Sequence, residues 1–174
     1  STFYNNGNIK KSCFYKKNIM EGICKIFYKN GNLIVDSFYK KGFLHDKYTM
    51  FEKNGIRILE KSYYKGIKNG FCKFFFNNGS LMLETHYDLG IKNGFDKEYF
   101  TNGCIKSITQ YQNGKRLGLY EEYFYNGKKK MYYNIYPDID LSIYKMYRET
   151  GSLICDISEA DGIRLHKEYD ILGN

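Results

Sequence analysis

The residues most able to do chemistry in this sequence are its cysteines, and their spacing indicates no built site. Five are present, at Cys13, Cys24, Cys72, Cys104 and Cys155. The number is odd and no two form a CxxC pair. The pattern therefore indicates neither a closed disulfide framework nor a zinc site.

Other candidate catalytic residues are scattered in the same way. The histidines His45, His86 and His166 stand at unrelated phases of the sequence repeat, which favours ordinary polar positions over metal ligands or general bases. Asp138 and Asp140 are spaced like half of a calcium loop, but the glycine and the terminal bidentate acid are missing, so we interpret them as turn residues. No nucleophile, base and orienting acid recur together. The sequence predicts a protein that is not an enzyme and has no metal or cofactor.

A period of 24 residues organises the chain. Seven glycines keep this interval, the first six each follow an asparagine, and an aromatic residue stands four positions before every one. Units this small cannot hold separate cores and must stack on one another. We predict one repeat domain over 1–174, with 128–174 as divergent C-terminal units that either cap the array or form a dimer site. The predicted turn residues are Asn6, Gly7, Asn30, Gly31, Asn54, Gly55, Asn78, Gly79, Asn102, Gly103, Asn126 and Gly127, followed by Gly151.

Each unit contains two short strand candidates and two turns. Asn-Gly is the dipeptide of a two-residue type I′ turn, in which both central residues have positive φ. The second turn is expected to be longer, running from Tyr87 to Gly94 in one unit. Short links of this kind cannot carry parallel crossovers. The predicted fold is all-β: an elongated, coiled antiparallel meander of about seven stacked β-hairpins in a single-layer sheet.

The repeat also predicts the register of the hairpins. If both turns are symmetric, the residue four after each glycine opposes the residue 19 after it, and six opposes 17. This pairs Leu59 with Phe74, Glu60 with Lys73, and Cys13 with Cys24. The two cysteines could then form a cross-strand disulfide or remain as two buried thiols, and the sequence leaves both open. Leu33, Val35, Met50, Leu59 and Phe74 fall on one apolar face, taken as the main core. The opposite face carries an aromatic spine with one residue per repeat: Phe27, Phe51, Phe75, Tyr99, Tyr123 and Tyr147.

Composition narrows the class of protein further. Aromatic residues make up 18% of the chain, which is too many for a disordered protein. The net charge of +8 arises from 27 basic and 19 acidic residues, and lysines recur beside the turns. A basic rim of this kind either maintains solubility or attracts anionic partners. No apolar run approaches the length of a membrane span.

The words Tyr63-Tyr64-Lys65-Gly66-Ile67-Lys68-Asn69-Gly70 and the equivalent run over 87–94, each followed by a strand and an Asn-Gly turn, resemble the MORN-variant repeat. The resemblance implies a coiled single-layer sheet of hairpins in a bacterial protein. In function it implies scaffolding, self-association and protein contact, with lipid binding proposed for the parent family. Some bacterial members carry an antitoxin-like label, and surface or secreted members in fusobacteria are associated with host-cell invasion.

Two C-terminal units depart from this pattern. The sixth replaces its second turn with Tyr136-Pro137-Asp138-Ile139-Asp140. The seventh has Thr150 before Gly151 and is two residues shorter in its second half. Divergent units of this kind suit the end of an array, because an open sheet edge invites pairing.

The predicted function is a non-catalytic structural or interaction module that contacts a protein, including another copy of itself as a homo-oligomer. The alternative is binding of anionic lipid or polyanion surfaces through the turn lysines, and an antitoxin-like role is a lesser alternative. Base-specific nucleic-acid recognition is not favoured, because basic and aromatic residues do not converge on one short motif. A signal peptide or further repeats before Ser1 would decide localisation, for which the cell envelope or secretion is slightly favoured over the cytoplasm.

Overall fold

The chain is built from β-strands and tight turns. The computed structural model describes residues 1–136, 139 and 141–170, and these contain no α-helix. Within these residues no helix is long and apolar enough to cross a membrane. Two compact units are present, Ser1–Ile91 and Lys92–Asn174.

The strands of the first unit are β1 (Thr2–Phe3), β2 (Ile9–Lys16), β3 (Ile19–Phe27), β4 (Leu33–Lys40), β5 (Phe43–Phe51), β6 (Arg57–Tyr64), β7 (Ile67–Phe75) and β8 (Leu81–Asp88). The second unit begins within β9 (Ile91–Tyr99) and continues with β10 (Ile105–Gln112), β11 (Lys115–Tyr123), β12 (Lys129–Tyr136), β13 (Leu141–Tyr147), β14 (Leu153–Ala160) and β15 (Ile163–Glu168). In both units the strand order follows the chain and the pairing is antiparallel. The predicted fold class, an all-β antiparallel meander of hairpins, is confirmed.

The turns at the predicted Asn-Gly positions, from Asn6-Gly7 to Asn126-Gly127, are not the type I′ turns that the sequence predicted. Of the loop residues Asn5, Asn6 and Gly7, only the glycine has positive φ, at 85°. Its N–H donates to the carbonyl of Tyr4 at 2.9 Å, and the N–H of Tyr4 donates to the carbonyl of Asn8 at 2.8 Å. This is the three-residue hairpin loop in which a type I turn precedes a left-handed glycine. The same pair of bonds recurs at each later glycine of the 24-residue phase, from Gly31 to Gly127, and at Thr150-Gly151.

The type I′ turns lie instead at the other end of each hairpin, where a longer turn was predicted. Lys17 and Asn18 have φ of 50° and 60°, and Lys41 and Gly42 have φ of 52° and 82°. Lys65-Gly66, Leu89-Gly90, Asn113-Gly114 and Asp161-Gly162 share this geometry. The extra residues assigned to a long turn belong to the strands, where they form a bulge.

This bulge follows each type I′ turn in the regular hairpins. On β2 and β3 the register passes from Tyr15 opposite Met20 to Cys13 opposite Cys24. The bulged strand therefore holds three residues, 21–23, opposite the single Phe14, and the middle one, Gly22, has a φ of 94°. Asp46, Gly70, Gly94 and Gly118 occupy the same position with positive φ in later repeats.

The C-terminal hairpins lack the bulge. Strands β12 and β13 pair without interruption from Met131 opposite Met146 to Tyr136 opposite Leu141. Strands β14 and β15 also pair without a shift, up to Ala160 opposite Ile163. The shorter second half of the seventh unit thus corresponds to loss of the bulge. Pro137, Asp138 and Asp140 lie outside the described residues, and the predicted cap remains a prediction.

The predicted register is confirmed where pairs are defined. Leu59 lies opposite Phe74, Glu60 opposite Lys73, and Cys13 opposite Cys24. Burial on the predicted core face is shallow: Val35 is 7% exposed and Cys72 is 4% exposed. Among the described residues, no side chain is less than 2% exposed. The described strands therefore bury their small residues well and their large ones only in part.

Candidate functional site

The asparagines of the Asn-Gly turns join successive hairpins. The side-chain Oδ1 of Asn102 accepts the N–H of Cys104 at 3.0 Å, and its Nδ2 donates to the carbonyl of Tyr125 in the next hairpin at 3.1 Å. Asn6 bonds in the same way to the N–H of Asn8 and the carbonyl of Lys29. An amide is needed because this position requires an acceptor and a donor together. We assign the turn residues to a structural role.

The type I′ turns are also bonded from one repeat to the next. The N–H of Gly42 donates to the carbonyl of Met20 at 2.9 Å. Side chains at one repeat position accept the N–H of the residue before each turn glycine: Glu21 accepts from Lys41 at 2.7 Å, and His45 accepts from Lys65 through Nδ1 at 3.5 Å. His45 therefore has a turn-binding role that its isolated place in the sequence did not indicate.

The spine face of the first unit carries opposite charges beside its aromatic residues. Lys25 and Asp36 lie 3.6 Å apart, and Lys73 and Glu84 lie 2.8 Å apart. Glu60 directly opposes Lys73 in register, but its carboxylate is bound instead by two other cations. These are Arg57 at 2.7 Å and Lys47 at 3.1 Å.

This face of the first unit carries a groove, the spine-face groove, with a volume of about 610 Å³. Its walls combine apolar side chains with charges of both signs. The residues lining it are Ile23, Asp36, Ser37, Phe38, Lys47, Thr49, Phe51, Ile56, Arg57 and Gly79. Thr49 is 5% exposed whereas Ile23 is 47% exposed. The groove therefore has a buried floor and exposed apolar side chains on its walls. Its volume lies in the range of ligand sites.

The charges of the groove are held in place by their partners. Glu60 fixes the Arg57 guanidinium, which also lies 4.2 Å from the ring centroid of Phe75. Lys47 is tied to the same carboxylate and keeps a side chain that is 60% exposed. Two cations sharing one carboxylate leave a local positive excess. This edge of the groove is therefore suited to an acidic group next to an apolar one.

The residues of the predicted aromatic spine make different contacts along the chain. Phe51 lines the spine-face groove, Phe75 lies beneath Arg57, and Tyr123 bonds to Glu121. Phe27, Tyr99 and Tyr147 are half-buried like the other three. The structure thus gives Phe51 and Phe75 a place in the groove region of the first unit.

In the second unit, Tyr123 belongs to a bonded cluster. Its hydroxyl donates to Glu121 Oε2 at 2.7 Å, and Lys129 Nζ donates to Glu121 Oε1 at 2.5 Å. Burial, together with the bond to the Glu121 carboxylate, raises the pKa of Tyr123 to about 12. Burial alone would raise the pKa of Glu121, but the bonds from Lys129 and Tyr123 lower it. The cluster keeps Tyr123 protonated and Glu121 ionised, which suits a fixed structural contact.

Cys13 and Cys24 are joined by a disulfide across β2 and β3. This is one of the two alternatives that the sequence left open. The other cysteines do not join this bond, and Cys72 and Cys155 are buried. The bond closes a hairpin with a sequence separation of 11 and serves as a covalent clip.

The described residues contain no group of three or more His, Cys, Asp or Glu side chains that could hold a metal ion. His86 lies edge-on to Phe71 with ring centroids 5.0 Å apart, and His166 lies 3.5 Å from Glu168. His45 contacts Tyr64 at a centroid distance of 5.3 Å. The three histidines are thus dispersed among separate local contacts.

The groove residues Ile23, Phe38, Lys47 and Arg57 were not predicted as functional. The repeat predicted on which face of the sheet positions 23 and 47 lie, because they are 24 residues apart. The residue type at this repeat position changes along the chain, from Ile to Lys to Phe to Phe at 23, 47, 71 and 95. A comparison of equivalent positions in successive repeats would have shown that a charged residue replaces an apolar one at Lys47.

A family model supports the nature of the repeat. The MORN repeat variant matches residues 1–17 and 20–41. The two matched stretches meet at the type I′ turn of Lys17 and Asn18, and each contains a strand, an Asn-Gly turn and a second strand. The match supports a MORN-repeat protein, and MORN repeats in general are interaction modules without enzyme activity. The search of curated proteins found no match.

Proposed function

We propose that this chain is a non-catalytic binding module that contacts a protein partner through the spine-face groove. The observation that carries the proposal is the groove itself, where exposed apolar side chains adjoin Lys47 and Arg57, cations anchored by Glu60. Aromatic and arginine side chains around a pocket are typical of the residues that dominate binding energy. The partner expected is a peptide segment with a large apolar side chain beside a carboxylate.

A display library of random peptides tests this proposal. Peptides enriched on the immobilised protein should share an aromatic or large aliphatic residue next to Asp or Glu. Their affinity, measured by calorimetry, should fall about tenfold in Phe38→Ser, because one well-placed anchor contributes roughly 1.4 kcal/mol.

Phe14→Ser supplies the matched control. Phe14 stands one period before Phe38, is 68% exposed, and does not line the groove. Its loss should leave peptide affinity unchanged. Equal weakening by the two substitutions, or no weakening by either, would contradict a site in the groove.

Binding to anionic surfaces is the second candidate, favoured by exposed lysines at successive type I′ turns such as Lys17, Lys41 and Lys65. Exposed charges are screened over about 10 Å at 0.1 M salt. Flotation with phosphatidylserine vesicles would then show binding at low ionic strength that is lost as salt is added. Absence of binding at low ionic strength would remove this candidate.

Self-association is the remaining form of protein contact. Sedimentation velocity over a range of concentrations measures it directly. A homo-oligomer held by the groove should dissociate in Phe38→Ser and persist in Phe14→Ser. A wild-type chain that stays monomeric at every concentration would exclude the second copy as the partner.

A further inference from the structure

A second cavity of the first unit, the turn groove, lies where two successive type I′ turns meet. Its volume is about 580 Å³, and it is lined by Lys40, Lys41, Phe43, His45, Tyr64 and Lys65. Phe43 and Tyr64 are 57% and 43% exposed. A cavity of this volume lies in the range that holds small molecules.

The polar groups of the turn groove are cationic or hydrogen-bond donors. Three ammonium groups line it, and none of its described lining residues is Asp or Glu. Glu21 lies outside the lining, with its carboxylate bound by the backbone N–H of Lys41 at 2.7 Å. Nδ1 of His45 accepts the N–H of Lys65, so the neutral ring carries its hydrogen on Nε2. Together with the lysines, this arrangement selects an anion.

The aromatic rings add a flat apolar surface. Tyr64 is held from two sides, by the ring of His45 at 5.3 Å and by Nζ of Lys65 at 5.2 Å from its centroid. Phe43 packs against the following turn, since a Cβ added to Gly66 would lie 3.4 Å from its Cδ1. Exposed aromatic faces beside ammonium groups suit a ligand that joins a planar ring to an anionic group.

The combination of exposed aromatic rings with several lysines occurs at one of these turn positions in the first unit. One repeat earlier the positions of Phe43 and His45 hold Ile19 and Glu21. One repeat later they hold Ile67 and Asn69, and the positions of Tyr64 and Lys65 hold Asp88 and Leu89. Neither neighbouring repeat pairs an aromatic ring with the same excess of positive charge. A long polyanion would need a continuing row of such sites, so the pattern favours a small ligand.

We propose that the turn groove binds a nucleoside monophosphate, with the phosphate held by Lys41, Lys65 and Nε2 of His45 and the base resting against Phe43. This site is separate from the spine-face groove and does not depend on the function proposed there. The phosphate supplies the charge that the three lysines select, and the base supplies the planar ring.

Calorimetric titration with AMP, adenosine and inorganic phosphate tests the proposal. AMP should bind at least about tenfold more tightly than either fragment, because both parts of the site contribute. Added salt should weaken AMP binding, since the contacts are between exposed charges.

The repeat itself supplies substitutions that the fold accepts. Phe43→Ile places the residue found at Ile19 and Ile67, and Lys65→Leu places the residue found at Leu89 with a φ of 43°. Phe43→Ile should bring the affinity for AMP down to that for phosphate. Lys65→Leu should weaken AMP binding by about fivefold, as expected for loss of one exposed ion pair.

Lys17→Leu is the control for charge. Lys17 has a φ of 50° in the equivalent turn two repeats before Lys65, and it does not line the groove. This substitution should leave AMP affinity unchanged. Equal affinity for AMP and phosphate, no binding of AMP, or equal weakening by Lys17→Leu and Lys65→Leu would each overturn the proposal.

Discussion

Asn102 connects two hairpins with one side chain. Its Oδ1 closes its own turn by accepting the N–H of Cys104, and its Nδ2 reaches the carbonyl of Tyr125 in the following hairpin. The asparagines at this repeat position are therefore explained by their hydrogen bonds. Positive φ, which was the reason for predicting it, is required only of the glycine.

Replacing Asn102 with Gly separates these two explanations. Loss of both side-chain bonds and the added entropy of glycine in the unfolded chain should lower the free energy of unfolding by about 1 to 2 kcal/mol. Urea denaturation measures the change. A type I′ turn would instead make Asn102→Gly neutral or stabilising, and that outcome would contradict the bridging role.

Asn102→Asp provides a finer comparison. The carboxylate keeps the acceptor for Cys104 but loses the donor to Tyr125. The expected loss is about 1 kcal/mol, between wild type and the glycine variant.

At the scale of strands, the bulge determines where glycine is needed. Gly22, Gly70 and Gly94 occupy the bulge with φ of 94°, 97° and 104°, whereas Asp46 holds the same place with a φ of 58°. A side chain at Gly118 would place its Cβ 2.6 Å from the carbonyl oxygen of Ile135. Asp46 is therefore the exception that the local backbone accepts at some cost.

Asp46→Gly should stabilise the protein by about 0.5 to 1 kcal/mol, because it relieves a side chain in the left-handed region. Thermal denaturation gives the change in Tm. Gly118→Ala is the opposing variant and should be clearly destabilising, since a backbone oxygen cannot move aside easily. No gain for Asp46→Gly would show that the aspartate makes a compensating contact.

The cluster of Tyr123 and Glu121 predicts a loss of stability in alkali. Tyr123 has a pKa of about 12 in the folded protein, against an ordinary tyrosine value of 10.0. Between these values the unfolded chain releases the proton and the folded chain keeps it. The stabilisation is complete below pH 10 and is lost as the pH rises to 12, by about 1 kcal/mol once solvent screening is allowed for.

Glu121→Gln tests this assignment. Removing the carboxylate takes away the charged acceptor that helps to raise the pKa of Tyr123. The ultraviolet titration of tyrosinate should then begin at lower pH than in wild type. An unchanged titration would show that the bond to Glu121 has no part in the shift.

The strand pairing could be predicted from the sequence, but the turn types could not. The pairing of Cys13 with Cys24 and of Leu59 with Phe74 followed from the 24-residue period. The turn types did not, because Asn-Gly suits two kinds of hairpin loop and only the backbone distinguishes them. Glu60 lies opposite Lys73 as predicted, but the register did not indicate that Arg57 and Lys47 bind its carboxylate.

For the molecule as a whole, shallow burial is the main energetic feature. The buried hydrophobic residues are Cys24, Val35, Cys72 and Cys155 among those described, and none is a large side chain. Stability must therefore come from many repeated backbone and side-chain bonds and from partial burial of aromatic rings. Each of the two compact units carries this pattern within itself.

Calorimetry of unfolding should reflect this shallow burial. Globular proteins show a heat-capacity change of about 12 to 15 cal/mol/K per residue, which arises from buried apolar surface. A value below about 12 cal/mol/K per residue is expected here. A value at the upper end of that range would contradict shallow burial, because it would require far more buried apolar surface than the structure has.

The same shallow burial leaves apolar side chains available for binding, as in the spine-face groove. Isotope-edited NMR with a selected peptide tests that site most directly. We predict that the largest amide shift changes will fall on residues 23, 36–38, 47–51 and 56–57, the segments that line the groove. Changes confined to the type I′ turns or to the second unit would contradict the proposed site.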